Sequence, residues 1–213
     1  DRSVSRGLGD VYKRQQANDS PITSGNVGAG MGATVGKLLG PARATKGGLG
    51  SARIDLDNGV IVSALVAVNA VGEIVDTVSN TVVAGIRAND VGQYDSAIDV
   101  AIGNTAKVPV AGTNTTLGLI ATNANLSKTQ LKKVAEMAHD GMARAIRPIH
   151  TQFDGDTVFA VSMPLSEVET TPDAQLNSIG IAGAKALEFA IVDAVRSAKS
   201  VGDVVACCDW HID

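Results

Sequence analysis

The chain has 213 residues, 45% hydrophobic and 19% charged, with a formal net charge of −4. That length supports one sizeable core and the apolar share is too high for a disordered chain. The acids are interspersed and no Lys/Arg cluster with interleaved aromatics is present, so nucleic acid is excluded as the expected partner.

In chain order, residues 1–15 (DRSVSRGLGDVYKRQ) lack an apolar stretch and a capping pattern. They read as a non-native or disordered tail, translated adaptor sequence of metagenomic type, and not as a signal peptide. On that reading the natural N-terminal part is absent, and residues 16–213 form a single domain. Nine glycines between Gly25 and Gly50 predict a loop with tight backbone contacts, because such a density is costly inside helix or strand. Segments 51–56 and 60–69 flank Asp57-Asn58-Gly59, whose Asn-Gly step signals an antiparallel hairpin. Residues 73–112 carry no clear pattern beyond a strand or short helix at 94–102. Segment 115–122 (TTLGLIAT) reads as a buried strand. Ser127 caps a helix over 128–147 that Pro148 stops, with Leu131, Val134, Ala135, Ala138 and Met142 on one face. Segment 157–163 is a further strand, and Pro172 opens a long, mostly apolar helix over 173–200, covered on more than one side. Strands with a few long helices over them predict a layered α+β domain.

Several chemistries are excluded by spacing. A phosphate loop fails at Met31, where glycine is required, and at Leu38, where Ser or Thr would bind magnesium. A dinucleotide fingerprint fails because Gly28, Gly30 and Gly32 lack a strand-turn-helix around them. His139, His150 and His211 share no metal-binding spacing, no Gly-x-Ser-x-Gly elbow is present, and the adjacent Cys207 and Cys208 suit neither a disulfide framework nor zinc. No cofactor or metal is expected. The cysteine usage favours a cytoplasmic setting, and apolar runs such as 60–70 fall short of the roughly 20 residues a membrane helix requires.

Two clusters remain. Thr113-Asn114-Thr115-Thr116 runs straight into the predicted strand and is either a turn or a nucleophile site, since a hydroxyl at a chain start can use its own α-amine as base. Exposing it requires the preceding bond to break, which the Thr115 hydroxyl can do by attacking the Asn114 carbonyl and passing through an ester. Asp154 and Asp156, at i and i+2 entering a strand, are either a solvated turn or weak cation site, or an acid/base pair on one face with separated pKa values. Lys37 and Lys46 in the glycine tract are either surface lysines or cations held against a developing oxyanion.

Four segments, GNVGAGMGATVGKLLGPARATKGGLGSA, VSALVAVNAVGEIVD, TNTTLGLIATNA and FDGDTVFAVS, together resemble the self-processing aminopeptidases. That family includes the D-amino-acid/L-amino-acid aminopeptidase-esterases, the β-peptidyl aminopeptidases and the nylon-oligomer (6-aminohexanoate-oligomer) hydrolase. The resemblance covers most of 26–200 and implies a four-layer αββα sandwich of the N-terminal-nucleophile type, similar to ornithine acetyltransferase. It implies one self-cleavage, between Asn114 and Thr115, giving chains 16–114 and 115–213 that stay together in an oligomer, commonly a tetramer. Threonine at the cut is similar to the nylon-oligomer hydrolase branch, since the peptidases have serine there. By resemblance Thr115 would be the nucleophile, Asp154 and Asp156 would orient its amine and hydroxyl, Lys37 would stabilise charge, and Asn69 would donate to the oxyanion. The implied substrate is a peptide, β-peptide or ω-amino-acid oligomer. An acyltransferase of the ornithine type and an uncleaved, non-catalytic relative are the alternatives. The family's pocket residues upstream of the glycine tract, a tyrosine among them, have no counterpart before Asn26, and Tyr12 lies in the tail.

Overall fold

The computed structural model describes residues 18, 20–103, 114–164 and 173–210; the tail at 1–15, Thr113, Pro172 and His211 lie outside them. The strands are β1 (Thr34–Val35), β2 (Thr45–Lys46), β3 (Gly48–Asp55), β4 (Ile61–Val68), β5 (Glu73–Asp76), β6 (Thr81–Ala84), β7 (Ile86–Arg87), β8 (Tyr94–Asp95), β9 (Leu117–Thr122), β10 (Ile146–Arg147) and β11 (Thr157–Ser162). The helices are α1 (Ala97–Ile102), α2 (Lys128–Ala145) and α3 (Asp173–Arg196).

The main sheet has the order β11-β9-β4-β3. β3 and β4 form the hairpin expected around Asn58-Gly59, β4 pairs antiparallel with β9, and β9 pairs parallel with β11. A parallel pair needs a long crossover, and α2 supplies it. Its start is fixed by a capping box in which the Ser127 hydroxyl accepts from the Gln130 N–H and the Gln130 side chain accepts from the Ser127 N–H. α2 stops at Ala145, two residues before the expected end. Pro148 disfavours helical backbone at Arg147, so Ile146 and Arg147 run extended as β10 and pair with β5.

α2 and α3 cover one face of the main sheet, and Val62, Val66, Ile120, Val134, Met142, Ile179, Leu187 and Ile191 are buried between them. The opposite face exposes Leu117, Phe159 and Val161. The architecture is an α+β sandwich. Residues 73–103 are more regular than their sequence suggested: β5 and β6 form a hairpin beside β10, β7 pairs with β8, and Ser96 caps α1.

The glycine tract is also partly misread, because Gly48 and Gly50 lie inside β3. A Cβ at Gly50 would stand 2.1 Å from the Ala190 carbonyl oxygen and 2.4 Å from the Ala194 nitrogen. The strand needs glycine so that the backbone of α3 can lie directly on it, which also accounts for the small residues along that helix. Gly50→Ala is therefore expected to cost roughly 1–3 kcal/mol through overpacking, read as a lowered denaturant midpoint. An unchanged midpoint would show that the helix can move away freely. Among the described residues no helix is long and apolar enough to cross a membrane.

Candidate active site

The strand registers assemble the site. Ala67 pairs with Leu117 at the antiparallel β4–β9 boundary. Two residues further along, Asn69 stands opposite Thr115, whose N–H donates to the Asn69 carbonyl at 3.1 Å. On the other flank Thr157 pairs with Leu117 in the parallel β9–β11 register, and that register continues backwards as a bridge between Asn114 and Asp154. The Gly155 N–H donates to the Asn114 carbonyl at 2.9 Å, and the Thr157 N–H to the Thr116 carbonyl at 3.0 Å. The Asn114–Thr115 peptide is thus clamped from both sides, and Asn114 and Thr116 are fully buried.

Within this clamp the Thr115 hydroxyl donates to the Asn114 carbonyl oxygen at 2.6 Å. That oxygen therefore receives two donors, the hydroxyl of the next residue and the Gly155 amide. A Cβ added at Gly155 would come within 2.8 Å of the Thr115 Oγ1, so the loop passes as close to the hydroxyl as a glycine allows.

The two aspartates have different partners. Asp154 accepts from the Thr151 hydroxyl at 2.6 Å and the Thr151 N–H at 3.1 Å, while its other oxygen faces the Val71 N–H at 3.4 Å. Asp156 accepts from the Thr116 N–H at 2.8 Å, and its second oxygen lies 2.9 Å from His150 Nδ1. The side chain of Asp156 is only 2% exposed, so a carboxylate there depends on these donors. His150 Nε2 in turn meets His139 Nδ1 at 3.2 Å. The two histidines, Asp154, Gly155 and Asp156 border a cavity of about 600 Å³. Among the described residues no group of three or more His, Cys, Asp or Glu is arranged to hold a metal.

The glycine tract enters through Lys37. Gly36 and Lys37 donate backbone N–H groups to Gly72 and Val71, laying the tract beside the segment that follows β4. The Lys37 ammonium donates to Asn69 Oδ1 at 2.6 Å and to the Asn69 carbonyl at 3.1 Å, and the Thr34 N–H also reaches Oδ1 at 3.1 Å. With Oδ1 held by two donors, the Asn69 carboxamide keeps its NH₂ as the donating end. Burial pushes Lys37 down to about 8, and the nearby charge of Asp154 opposes that shift.

All the residues singled out from sequence around the Asn114–Thr115 step, namely Lys37, Asn69, Asn114, Thr115, Asp154 and Asp156, are thus brought into connected segments. Lys46 is not among them. It is buried, and its ammonium donates to the carbonyls of Gly30, Ala33 and Gly47 at 2.8–2.9 Å. It staples the glycine tract from within, and burial lowers its pKa. His139, His150, Thr151 and Gly155 were missed. The histidines carry no shared short motif, since one is on α2 and the other on the loop after β10. Only the glycine between the two aspartates hinted at a close backbone approach.

The profile of peptidase family S58 matches residues 5–205. An uncharacterized aminopeptidase of Mycobacterium leprae is 36% identical over 210 residues, a match covering 89% of this chain and 53% of the relative. A 6-aminohexanoate-oligomer endohydrolase of Paenarthrobacter ureafaciens is 36% identical over 164 residues, covering 74% of this chain and 44% of the relative. The chain spans about half the length of the curated relatives it matches. Among solved structures, the L-aminopeptidase D-Ala-esterase/amidase of Ochrobactrum anthropi, a variant of the Ntn hydrolase fold, superposes with a TM-score of 0.59. Its sequence identity is 21%, and the match covers 89% of this chain and 51% of that one. At that identity the likeness establishes the fold.

Proposed function

The chain belongs to peptidase family S58, and on that premise we propose that it cuts its own backbone between Asn114 and Thr115 and uses the freed Thr115 to hydrolyse amides. One observation carries the reading: the Thr115 hydroxyl donates to the oxygen of the carbonyl it would attack, and the Gly155 N–H already donates to that same oxygen, on which negative charge would develop. A preformed donor at that oxygen stabilises the tetrahedral intermediate without reorganisation.

In the self-cleavage step Thr115 Oγ1 bonds to the Asn114 carbonyl carbon, the C–N bond breaks, and the hydroxyl proton ends on the Thr115 nitrogen. Water then hydrolyses the ester, leaving a carboxyl on Asn114 and a free α-amine beside the Thr115 hydroxyl. That amine serves as base when the same oxygen attacks a substrate amide, and a second water resolves the acyl-enzyme. Asp154 and Asp156 orient the new amine and hydroxyl. Asn69 donates to the substrate oxyanion, and Lys37 adds positive charge through its grip on Asn69. The substrate class is a peptide, β-peptide or ω-amino-acid oligomer, in keeping with the aminopeptidase and oligomer-hydrolase relatives.

Lys37 yields a pH prediction. Its folded pKa is lowered to about 8, so the ammonium is present below that pH and lost as pH rises through it. Processing is expected to slow above about pH 8, and Lys37→Arg, which keeps its charge, is expected to move that alkaline limb upward. A rate still rising through pH 9 in the parent would assign Lys37 the role of a base instead.

The test of the function is the intact mass of the incubated, denatured chain, followed by release of amine from amino-acid and β-amino-acid p-nitroanilides. Two fragments together with turnover are expected. Fragments that transfer acetyl from acetyl-ornithine to glutamate, without hydrolysing the amides, would make the chain an acyltransferase. A single uncut species would make it a non-catalytic relative.

A further inference from the structure

Asp156 is held by more than its own loop. Its carboxylate is 2% exposed, one oxygen accepts the Thr116 N–H next to the cut, and the other lies 2.9 Å from His150 Nδ1 and 3.4 Å from the His150 backbone N–H. His150 adopts a φ of +55°, a left-handed conformation that costs a non-glycine residue energy and persists only where surrounding contacts impose it. Here that backbone turn aims both the amide and the ring at a single carboxylate oxygen.

The ring continues the file. A carboxylate only accepts, so the neutral His150 ring carries its hydrogen on Nδ1 and leaves Nε2 as an acceptor. His139 Nδ1 lies 3.2 Å from that Nε2, with the rings edge to face at a centroid separation of 4.9 Å. His139 therefore donates from Nδ1. The charged groups that act on His139 are Asp156 and Asp140, and burial together with the His150 ring lowers its pKa. This favours the neutral, donating form at ordinary pH.

We propose that His150 is the positioning residue for Asp156: the carboxylate selects the His150 tautomer with hydrogen on Nδ1, and His139 supports that ring by donating to its Nε2. The inference rests on the proposed role of Asp156 in organising Thr115. Without the His150 donor, one oxygen of a nearly buried carboxylate is left without its side-chain partner, and the carboxylate turns or takes up a proton. Either change moves the acceptor that holds Thr116 in register with the cut.

The test uses the full chain. His150→Ala is expected to slow self-cleavage about 10- to 100-fold, the effect of losing one hydrogen bond to a charged group. His150→Asn, whose amide reaches the place of Nδ1, is expected to come back to within about threefold of the parent. Free imidazole is expected to accelerate the alanine variant, because the histidine is part-exposed beside an open cavity. A folded His150→Ala chain that cleaves at the parent rate, or one that neither asparagine nor imidazole restores, overturns the proposal. A second readout does not depend on cleavage. In the Thr115→Ala background, ¹⁵N shifts of the His150 ring are expected to report hydrogen on Nδ1, and to do so in His139→Phe as well, because the Asp156 carboxylate selects that tautomer. An Nε2–H tautomer in the unsubstituted pair overturns the positioning role by itself, whether or not the parent cuts.

Discussion

Thr115→Ala is expected to leave a folded chain that stays in one piece, with self-cleavage reduced by at least ~10³-fold, as follows when a nucleophile that acts as part of a unit is removed. The fold is expected to hold, because Thr115 is only partly buried and its hydroxyl donates to the carbonyl preceding it rather than to the core. The backbone N–H to Asn69 and the flanking Gly155 and Thr157 bonds are independent of the side chain. Thr115→Ser keeps the oxygen and drops the methyl, so cutting is expected to persist at a reduced rate, because a less branched side chain is less fixed at χ1. Denaturant midpoints of the three chains, set beside their fragment yields over time, check both halves of this expectation. An alanine variant that still cuts would remove Thr115 from the reaction.

Gly155→Ala is the second large effect. The added methyl would lie 2.8 Å from Thr115 Oγ1 and 3.8 Å from the Asn114 carbonyl oxygen. The nearest neighbour is a side-chain hydroxyl, so the hydroxyl gives way rather than the backbone. Turning it from the carbonyl is expected to slow cleavage roughly 10- to 100-fold, since small displacements of a reacting atom carry costs of that order. Gly155 is exposed and its φ lies outside the left-handed region, so alanine should cost under about 1 kcal/mol of stability. A slowed cut with an unchanged unfolding midpoint is the expected pair of results. A normal rate would mean that the hydroxyl does not occupy this position when it reacts.

Thr115 and the two aspartates stand out as candidates in the sequence and Asn69 enters only through the family resemblance, but the assembly of these segments is not legible there. Thr115 was conspicuous because a polar cluster runs into an apolar strand, and the aspartates because they flank a glycine at strand spacing. What brings these clusters together is the parallel β9–β11 pairing across the whole of α2, and no local pattern specifies a long-range register. The hairpin around Asn58-Gly59 was legible for the opposite reason, since its turn chemistry is local. Gly48 and Gly50 were misread as loop because their cost in a strand is local, whereas the approach of α3 that offsets it is tertiary. The same holds for His139 and His150: Pro148 and the short β10 turn the chain back after α2, and only that turn brings the two rings together.

The most direct measurement of the central claim is the identity of the first residue in any new fragment, read by terminal sequencing after the purified chain has been incubated. The expected result is a fragment that begins at Thr115 with a free α-amine, alongside one ending at Asn114. A fragment beginning anywhere else, or a chain that stays whole while correctly folded, would contradict it.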